Sequence, residues 1–366
     1  MQPVNDTNIA GYEELPTPRE LRREIPVTAA AQHSVLYGRE TVQDILSGAD
    51  PRLMVVVGPC TVHDPEGAGF EFAQRLAELS DELSDQLVPV MRVCFAKPRP
   101  GAEGWTGLVN DPDLDASFHV DKGLRQARRL LVRIAELGLP AGVEFVNPNV
   151  PQYVGELVSW ACLGSRTLES ATFRDLASGL SMPVGFKNPA DGTLGQAIAA
   201  IHSALRPHKF VGISEDGRLS LIETRGNRDP HLILRGGASP NYGSGDIAAI
   251  LEMLDRAKAS TRILVDCAHA NSEWEPRNQE KVLRDGLSQI EAGNLAIAGF
   301  LLESHLHWGK QPILRDRDRM EYGVSVTDPC IDWETTEALL REAHERYGAA
   351  IARLGDDAVR RWRCRA

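Results

Sequence analysis

The chain has 366 residues, 42% hydrophobic and 25% charged, with 32 glycines, 22 prolines and a formal net charge of −11. This is globular composition with material for a large core, and its acidic balance speaks against a general nucleic-acid binder while leaving room for a locally basic site. No apolar run reaches the roughly 18 residues that span a bilayer, Met1 to Glu24 is polar and proline-punctuated unlike a signal peptide, and six cysteines lack paired spacing, so a cytoplasmic protein with reduced thiols is expected.

Residues 1–45 precede the first strand-like run and are expected to form a helical N-terminal extension. From there one unit recurs: a short apolar run rich in β-branched residues, a polar tip, then a helical stretch. The runs are Leu53–Gly58, Leu87–Phe95, Ala141–Phe145, Ala161–Ser165, Pro183–Phe186, Leu232–Leu234, Ile263–Val265 and Ile297–Leu302. Amphipathic stretches such as Gly67–Leu83 and Gly123–Leu137 lie between them, the latter stopped by Gly138 and Pro140. A short third helix is expected at about Pro151–Trp160. Eight β-then-α units imply a parallel sheet, and right-handed crossovers favour its closure into a (β/α)8 TIM barrel, an α/β fold. Residues 208–230 break the pattern: Phe210–Ser214, Asp216-Gly217 and Leu219–Thr224 read as a β-hairpin inserted before the sixth strand. The expected division is an extension at 1–45, a catalytic barrel at 46–345, and a C-terminal helix and tail at 346–366.

In such a barrel the active site forms at the C-terminal ends of the strands. The strand tips, in order, are Cys60, Arg92, Glu144, Arg166, Lys187, Arg235, His269 and Glu303. One polar tip is a chain turning into solvent; a full set of ionisable or metal-ligating tips is a site. The set divides by chemistry. Arg92, Arg166, Lys187 and Arg235, with Lys97 and Arg99 from the loop after strand two, make a cationic basin suited to phosphate and carboxylate. Cys60, His269, Glu303 and Asp328 make a mixed soft and hard donor set suited to a divalent first-row metal. Taken alone, Cys60 reads as a small buried hydrophobe and His269 as a hydrogen-bonded core residue; their clustering at one barrel face argues otherwise.

Several runs resemble type I 3-deoxy-D-arabino-heptulosonate 7-phosphate (DAHP) synthases. They are Gly58-Pro59-Cys60-Thr61-Val62-His63-Asp64, Met91-Arg92-Val93 with Lys97-Pro98-Arg99, and Gly104-Trp105-Thr106-Gly107-Leu108-Val109-Asn110-Asp111-Pro112. The likeness continues through Gly185-Phe186-Lys187-Asn188, Leu234-Arg235-Gly236-Gly237, Pro240-Asn241-Tyr242, His269-Ala270-Asn271-Ser272, Glu303-Ser304-His305-Leu306 and Ser325-Val326-Thr327-Asp328. It runs in order over roughly residues 35–345. The resemblance implies a metal-dependent transferase that joins phosphoenolpyruvate to erythrose 4-phosphate, the first step of the shikimate pathway to aromatic amino acids. It also implies Cys60, His269, Glu303 and Asp328 as ligands of Mn2+, Fe2+, Co2+ or Zn2+. Arg92, Lys97, Arg166, Lys187 and Arg235 resemble the phosphoenolpyruvate pocket, with Glu144 beside it. Arg99 and Asp328 resemble aldose contacts. Lys97, Cys60 and His269 are the implied catalytic residues, with Lys97 as proton donor. Desolvated among other cations, Lys97 is expected to have a lowered pKa.

The chain departs from the family at two places. After Arg99 it has Pro100 and then Gly101-Ala102-Glu103, one residue longer and lacking a threonine whose hydroxyl and backbone would help hold an aldose phosphate. Asn147-Pro148 replaces an acidic residue and its neighbour after strand three, near the family's feedback pocket, of which Pro151, Gln152, Leu180, Ser181 and Phe210 look like remnants. An aromatic amino acid inhibitor is therefore among the expected partners, and the N-terminal extension resembles the family's dimer-forming arm, so a homodimer or homotetramer is expected. The rival readings are a synthase using a different aldose phosphate in specialised metabolism and a non-catalytic sensor of aromatic amino acids.

Overall fold

Leu53–Gly58 (β1) is apolar and buried along its whole length, as a parallel strand covered on both faces must be. The structure, a computed structural model, describes residues 4–97 and 104–363, with side chains taken into account up to residue 355. Two helices precede β1: Pro18–Glu24 (α1), opened by a reciprocal capping box between Thr17 and Glu20, and Ala29–Ser47 (α2), capped by Thr28 and ended by Gly48 at φ 79°. After β1 come Ala68–Leu83 (α3), Leu87–Arg92 (β2), Val120–Glu136 (α4), Ala141–Glu144 (β3), Pro151–Val154 (α5), Trp160–Leu163 (β4), Ala171–Gly179 (α6), Val184–Lys187 (β5) and Gly195–Ala204 (α7). The inserted pair Lys209–Ile213 (β6) and Leu219–Glu223 (β7) follows, then Pro230–Leu234 (β8), Ser244–Arg256 (α8), Ile263–Asp266 (β9), Asn278–Glu291 (α9), Ile297–Glu303 (β10) and Trp333–Arg363 (α10).

Eight parallel strands close into a barrel in the order β1-β10-β9-β8-β5-β4-β3-β2, and β6 and β7 form a separate antiparallel hairpin with Val211 opposite Leu221. The (β/α)8 expectation holds. The third helix is shorter than expected: α5 gives way to a 3-10 turn at Gly155–Leu157. The expected boundary at 345 falls inside α10. Trp333, Leu339, Leu340, Ala343, Tyr347 and Ala350 form one continuous buried face, and the helical geometry breaks only at Gly355. No helix among the described residues is long and apolar enough to cross a membrane.

Alternation along the strands divides the core in two. Met54, Val56, Val88, Val90, Trp160, Ile233, Leu264 and Leu301 pack inside the barrel, and Val42, Ile45 and Leu46 of α2 join the same cluster, plugging its N-terminal mouth. The intervening strand residues, such as Val55 and Val57, pack outward against the helices. Burying Trp160 and His231 in so narrow a barrel needs space opposite them. A Cβ on Gly142 would come within 2.9 Å of the Trp160 ring, and one on Gly185 within 3.0 Å of His231 Nε2. The N-terminal segment is tied to the hairpin turn: Arg19 pairs with Asp216 at 2.6 Å, Arg22 with Glu215 at 2.8 Å, and Pro16 accepts from the Tyr153 hydroxyl at 2.9 Å.

His231 is 1% exposed and neutral by construction. Its Nε2 accepts from Trp160 Nε1 at 3.0 Å, which leaves the proton on Nδ1, 3.0 Å from the carbonyl of Asp229. Burial lowers its pKa to about 4, against a smaller upward pull from the Asp229 carbonyl. The folded pKa lies below the unfolded one, so the unfolded chain takes up the proton first as pH falls. Stability from this residue is therefore whole above the unfolded pKa and declines toward pH 4, by roughly 3 kcal/mol in total. Urea unfolding from pH 7 to pH 4 is expected to show a flatter decline in His231→Gln than in the wild type. Parallel declines in the two proteins would refute the assignment.

Candidate active site

The inward alternation that fills the barrel decides what stands at its C-terminal end. Two residues beyond inward Val90 comes Arg92, beyond Gly142 comes Glu144, and beyond Gly185 comes Lys187. Ile233, Leu264 and Leu301 lead in the same way to Arg235, Asp266 and Glu303. A layer of ionisable side chains thus sits directly on the apolar plug.

On one side of this layer lies the donor cluster. Gly58 lets β1 turn against β2, since a Cβ there would lie 2.7 Å from the Arg92 carbonyl oxygen. This brings Cys60 over the barrel, where its sulfur and one carboxylate oxygen each of Glu303 and Asp328 lie within 4.8 Å of one another. Glu303 is fixed through its backbone by Gln279, which donates to its carbonyl at 3.0 Å and accepts from its N–H at 2.8 Å. His269 borders the cluster with Nε2 3.7 Å from Glu303 Oε1. It holds a left-handed backbone at φ 57°, its carbonyl accepting from Ser272 Oγ and the Trp274 N–H. The ammonium of Lys97 stands among these donors, 2.6 Å from Asp328 Oδ2, 2.9 Å from Cys60 Sγ and 3.9 Å from Glu303 Oε1. A cation already has a place here, and thiolate, imidazole and two carboxylates are the donors a first-row divalent ion takes. The residues present fit such a metal.

These neighbours reverse the expectation for Lys97. Burial pushes its pKa down, but the charges of Cys60, Glu303 and Asp328 outweigh burial and hold it well above the ordinary lysine value. The carboxylates of Glu303 and Asp328 flank the lysine, Arg92 is a lesser opposing cation, and burial together with Glu303 pushes the Cys60 thiol itself up. Asp328 is correspondingly held at about 2, burial notwithstanding, chiefly by Lys97.

On the other side is a cavity of about 180 Å³ lined by Arg166, Lys187, Arg235, Glu144 and Trp274, with Lys97, His269 and Asp328 at its border with the donor cluster. Lys187 is buried and lies 3.2 Å from both Glu144 and Asp266, while Arg166 is exposed at the rim. Glu144 stays ionised, its pKa near 2, because Lys187 and Arg92 outweigh the cost of burial. Arg235 lies over the ring of Trp274, 5.6 Å away, and its N–H donates to Asn188 at 2.9 Å. Arg92 is behind the cavity and outside its lining. Its guanidinium donates to the carbonyls of Pro59 and Cys60 and, at 3.0 Å, to Glu303. Arg99 and Pro100 lie outside the described residues.

The sequence reading missed Asp266, Trp274 and Gln279. Asp266 carries a signal in retrospect, since it follows inward Leu264 by two. Trp274 and Gln279 carry none, because the loop after β9 and the start of α9 reach the site only through the fold.

The family model described as the DAHP synthetase I family matches residues 24–341. The chain is 47% identical over 342 residues to the Tyr-sensitive phospho-2-dehydro-3-deoxyheptonate aldolase of Escherichia coli K12, covering 93% of this chain and 96% of that one. It is 46% identical over 338 residues to the Phe-sensitive enzyme of the same strain, covering 92% and 96%. It superposes on the phospho-2-dehydro-3-deoxyheptonate aldolase of Francisella tularensis SCHU S4 with a TM-score of 0.91 at 38% identity, covering 94% of this chain and 100% of that one. With this span matched in sequence and in structure, the chain belongs to the DAHP synthetase I family.

Proposed function

We propose that this chain condenses phosphoenolpyruvate with D-erythrose 4-phosphate and water to give DAHP and phosphate, the step that opens the shikimate pathway. The observation that carries the reading is the junction of a cationic cavity with a metal-donor cluster, two sites with opposite charge preference sharing one wall. Phosphoenolpyruvate brings a carboxylate and a phosphate, which Arg166, Lys187 and Arg235 meet with charge-assisted bonds. Glu144 holds Lys187 in line, and Arg92 supports the pocket from behind through Glu303. Cys60, His269, Glu303 and Asp328 would hold a divalent ion of the Mn2+, Fe2+, Co2+ or Zn2+ kind, which when bound supplies Lewis-acid polarisation of the aldehyde. The enol carbon of phosphoenolpyruvate attacks that aldehyde carbon, water adds at the former enol C2, and phosphate leaves. Lys97, held protonated by its neighbours, enters as the acid and gives its proton to the new alkoxide. Arg99 anchors the aldose phosphate and Asp328 faces its other end.

Two further parts of the reading concern control and assembly. Tyr-sensitive and Phe-sensitive relatives direct attention to a separate cavity of about 260 Å³ lined by Pro151, Gln152, Leu180, Ser181 and Phe210, where an aromatic amino acid inhibitor would bind. Val211, Leu219 and Leu221 are exposed on the hairpin, and Tyr12 and Leu15 on the N-terminal segment, which suits a homodimer or homotetramer built through these elements in the cytoplasm.

Chelation should abolish activity and Mn2+ or Co2+ restore it, with Cys60→Ser lowering metal affinity sharply because thiolate is the softest donor of the set. Full turnover by a protein shown to be metal-free by elemental analysis would end the metal reading. Arg166→Ala or Arg235→Ala should raise KM for phosphoenolpyruvate by about tenfold or more, from loss of a charge-assisted interaction of roughly 1.5–3 kcal/mol. Lys97→Ala should depress kcat as well, because its interaction strengthens as the alkoxide forms; an effect confined to KM would remove it from the donor role. Across C3 to C5 aldose phosphates, erythrose 4-phosphate should show the highest kcat/KM. Losing one neutral hydrogen bond at Pro100 costs only about 0.5–1.5 kcal/mol, so Pro100→Thr should change that ranking little. A hundredfold preference for another sugar would favour the specialised-metabolism alternative.

A further inference from the structure

Asp266 ends β9 and points into the barrel, 1% exposed, between the two halves of the site. One carboxylate oxygen, Oδ1, is committed to the backbone, accepting from the Ala268 N–H at 3.0 Å. The other, Oδ2, is shared. It lies 3.0 Å from Nδ1 of His269, which borders the donor cluster, and 3.2 Å from Nζ of Lys187, which lines the cationic cavity. Neither Oδ2 nor Nδ1 has another hydrogen-bonding partner, so each is left to these contacts. Its backbone is held as well, since the Asp266 carbonyl accepts from Asn271 Nδ2 at 2.9 Å.

From this arrangement we infer that Asp266 is a positioning residue that couples metal binding to phosphoenolpyruvate binding. The inference rests on the assignments proposed above for His269 and Lys187. A carboxylate against Nδ1 fixes the imidazole tautomer, leaving Nε2, the nitrogen that faces Glu303, as the ligating atom, and raises its basicity. An oxygen shared between an ammonium and an imidazole N–H offers each less of its charge than it would offer either alone. While Lys187 holds part of Oδ2, His269 is the weaker ligand. An anionic phosphate in the cavity draws Lys187 toward itself, Oδ2 turns over to His269, and the metal is bound more tightly. By linkage, the metal tightens phosphoenolpyruvate by the same factor. Glu144, also 3.2 Å from Lys187, keeps the ammonium in the pocket during this exchange.

The test is calorimetric titration of the full-length metal-free protein with Mn2+, with and without saturating phosphoenolpyruvate. The wild type should bind Mn2+ on the order of tenfold more tightly when phosphoenolpyruvate is present. Asp266→Asn should bind Mn2+ about 10–100-fold more weakly, and its gain from phosphoenolpyruvate should fall from about tenfold to under about twofold. An undiminished gain in Asp266→Asn would overturn the inference even if its affinity falls. Lys187→Gln supplies an independent arm should Asp266→Asn fail to fold, as judged by circular dichroism. Without phosphoenolpyruvate it should bind Mn2+ several-fold more tightly than the wild type, because Oδ2 is left to His269 alone; equal or weaker binding overturns the inference. A wild type that binds no Mn2+ at all would instead overturn the proposed function, and this inference with it.

Discussion

Charged side chains buried at the end of a closed barrel persist only where cations and anions interleave, and the site of this protein depends on that constraint. Arg92 rests on Glu303, Lys187 sits between Glu144 and Asp266, and Lys97 lies among Cys60, Glu303 and Asp328. Each of these groups would be costly to bury alone, and removing one partner of such a pair typically costs about 3–5 kcal/mol. The layer is therefore coupled, and a change at one position is felt at several. It lies at inward positions because the alternation that inserts apolar side chains below leaves the same positions to the ionisable residues above.

The two halves of the layer share their members. Lys97 lines the cationic cavity and also stands among Cys60, Glu303 and Asp328, so the same ammonium borders both. This explains why its charge is secured instead of suppressed. Asp266 does the converse, an anion touching one residue of each half. A shift of charge in either half is therefore felt in the other through Asp266 and Lys97.

Away from the site, the chain invests in closing the barrel's other end. Three apolar residues of α2 enter the interior cluster, and Arg262 reaches from β9's approach to donate to the carbonyl of Ile45 at 2.9 Å, sealing the plug. The segment before α2 binds the hairpin turn through Arg19 and Arg22. The cavity bearing Leu180, Ser181 and Phe210 is also lined by Arg22 and Arg39 from these N-terminal helices. Extension, hairpin and cavity thus form one structural unit.

The sequence by itself determined the barrel, the inserted hairpin and most of the strand-tip residues, because period-two burial and apolar β-branched runs are local properties. Glu144, Lys187, Arg235 and Glu303 could be named for that reason, each falling where a buried run meets a polar residue. Asp266 sits at an inward position by the same alternation, but its place between Lys187 and His269 has no local signature. The contacts that hold Arg92, to the β1 turn and to Glu303, span 33 and 211 positions and have no local signature. The sign of the Lys97 shift was likewise hidden, since the groups that set it come from residues 60, 303 and 328. Local pattern specifies which residues reach the barrel end; which charge faces which is decided only when eight strands close and distant segments meet.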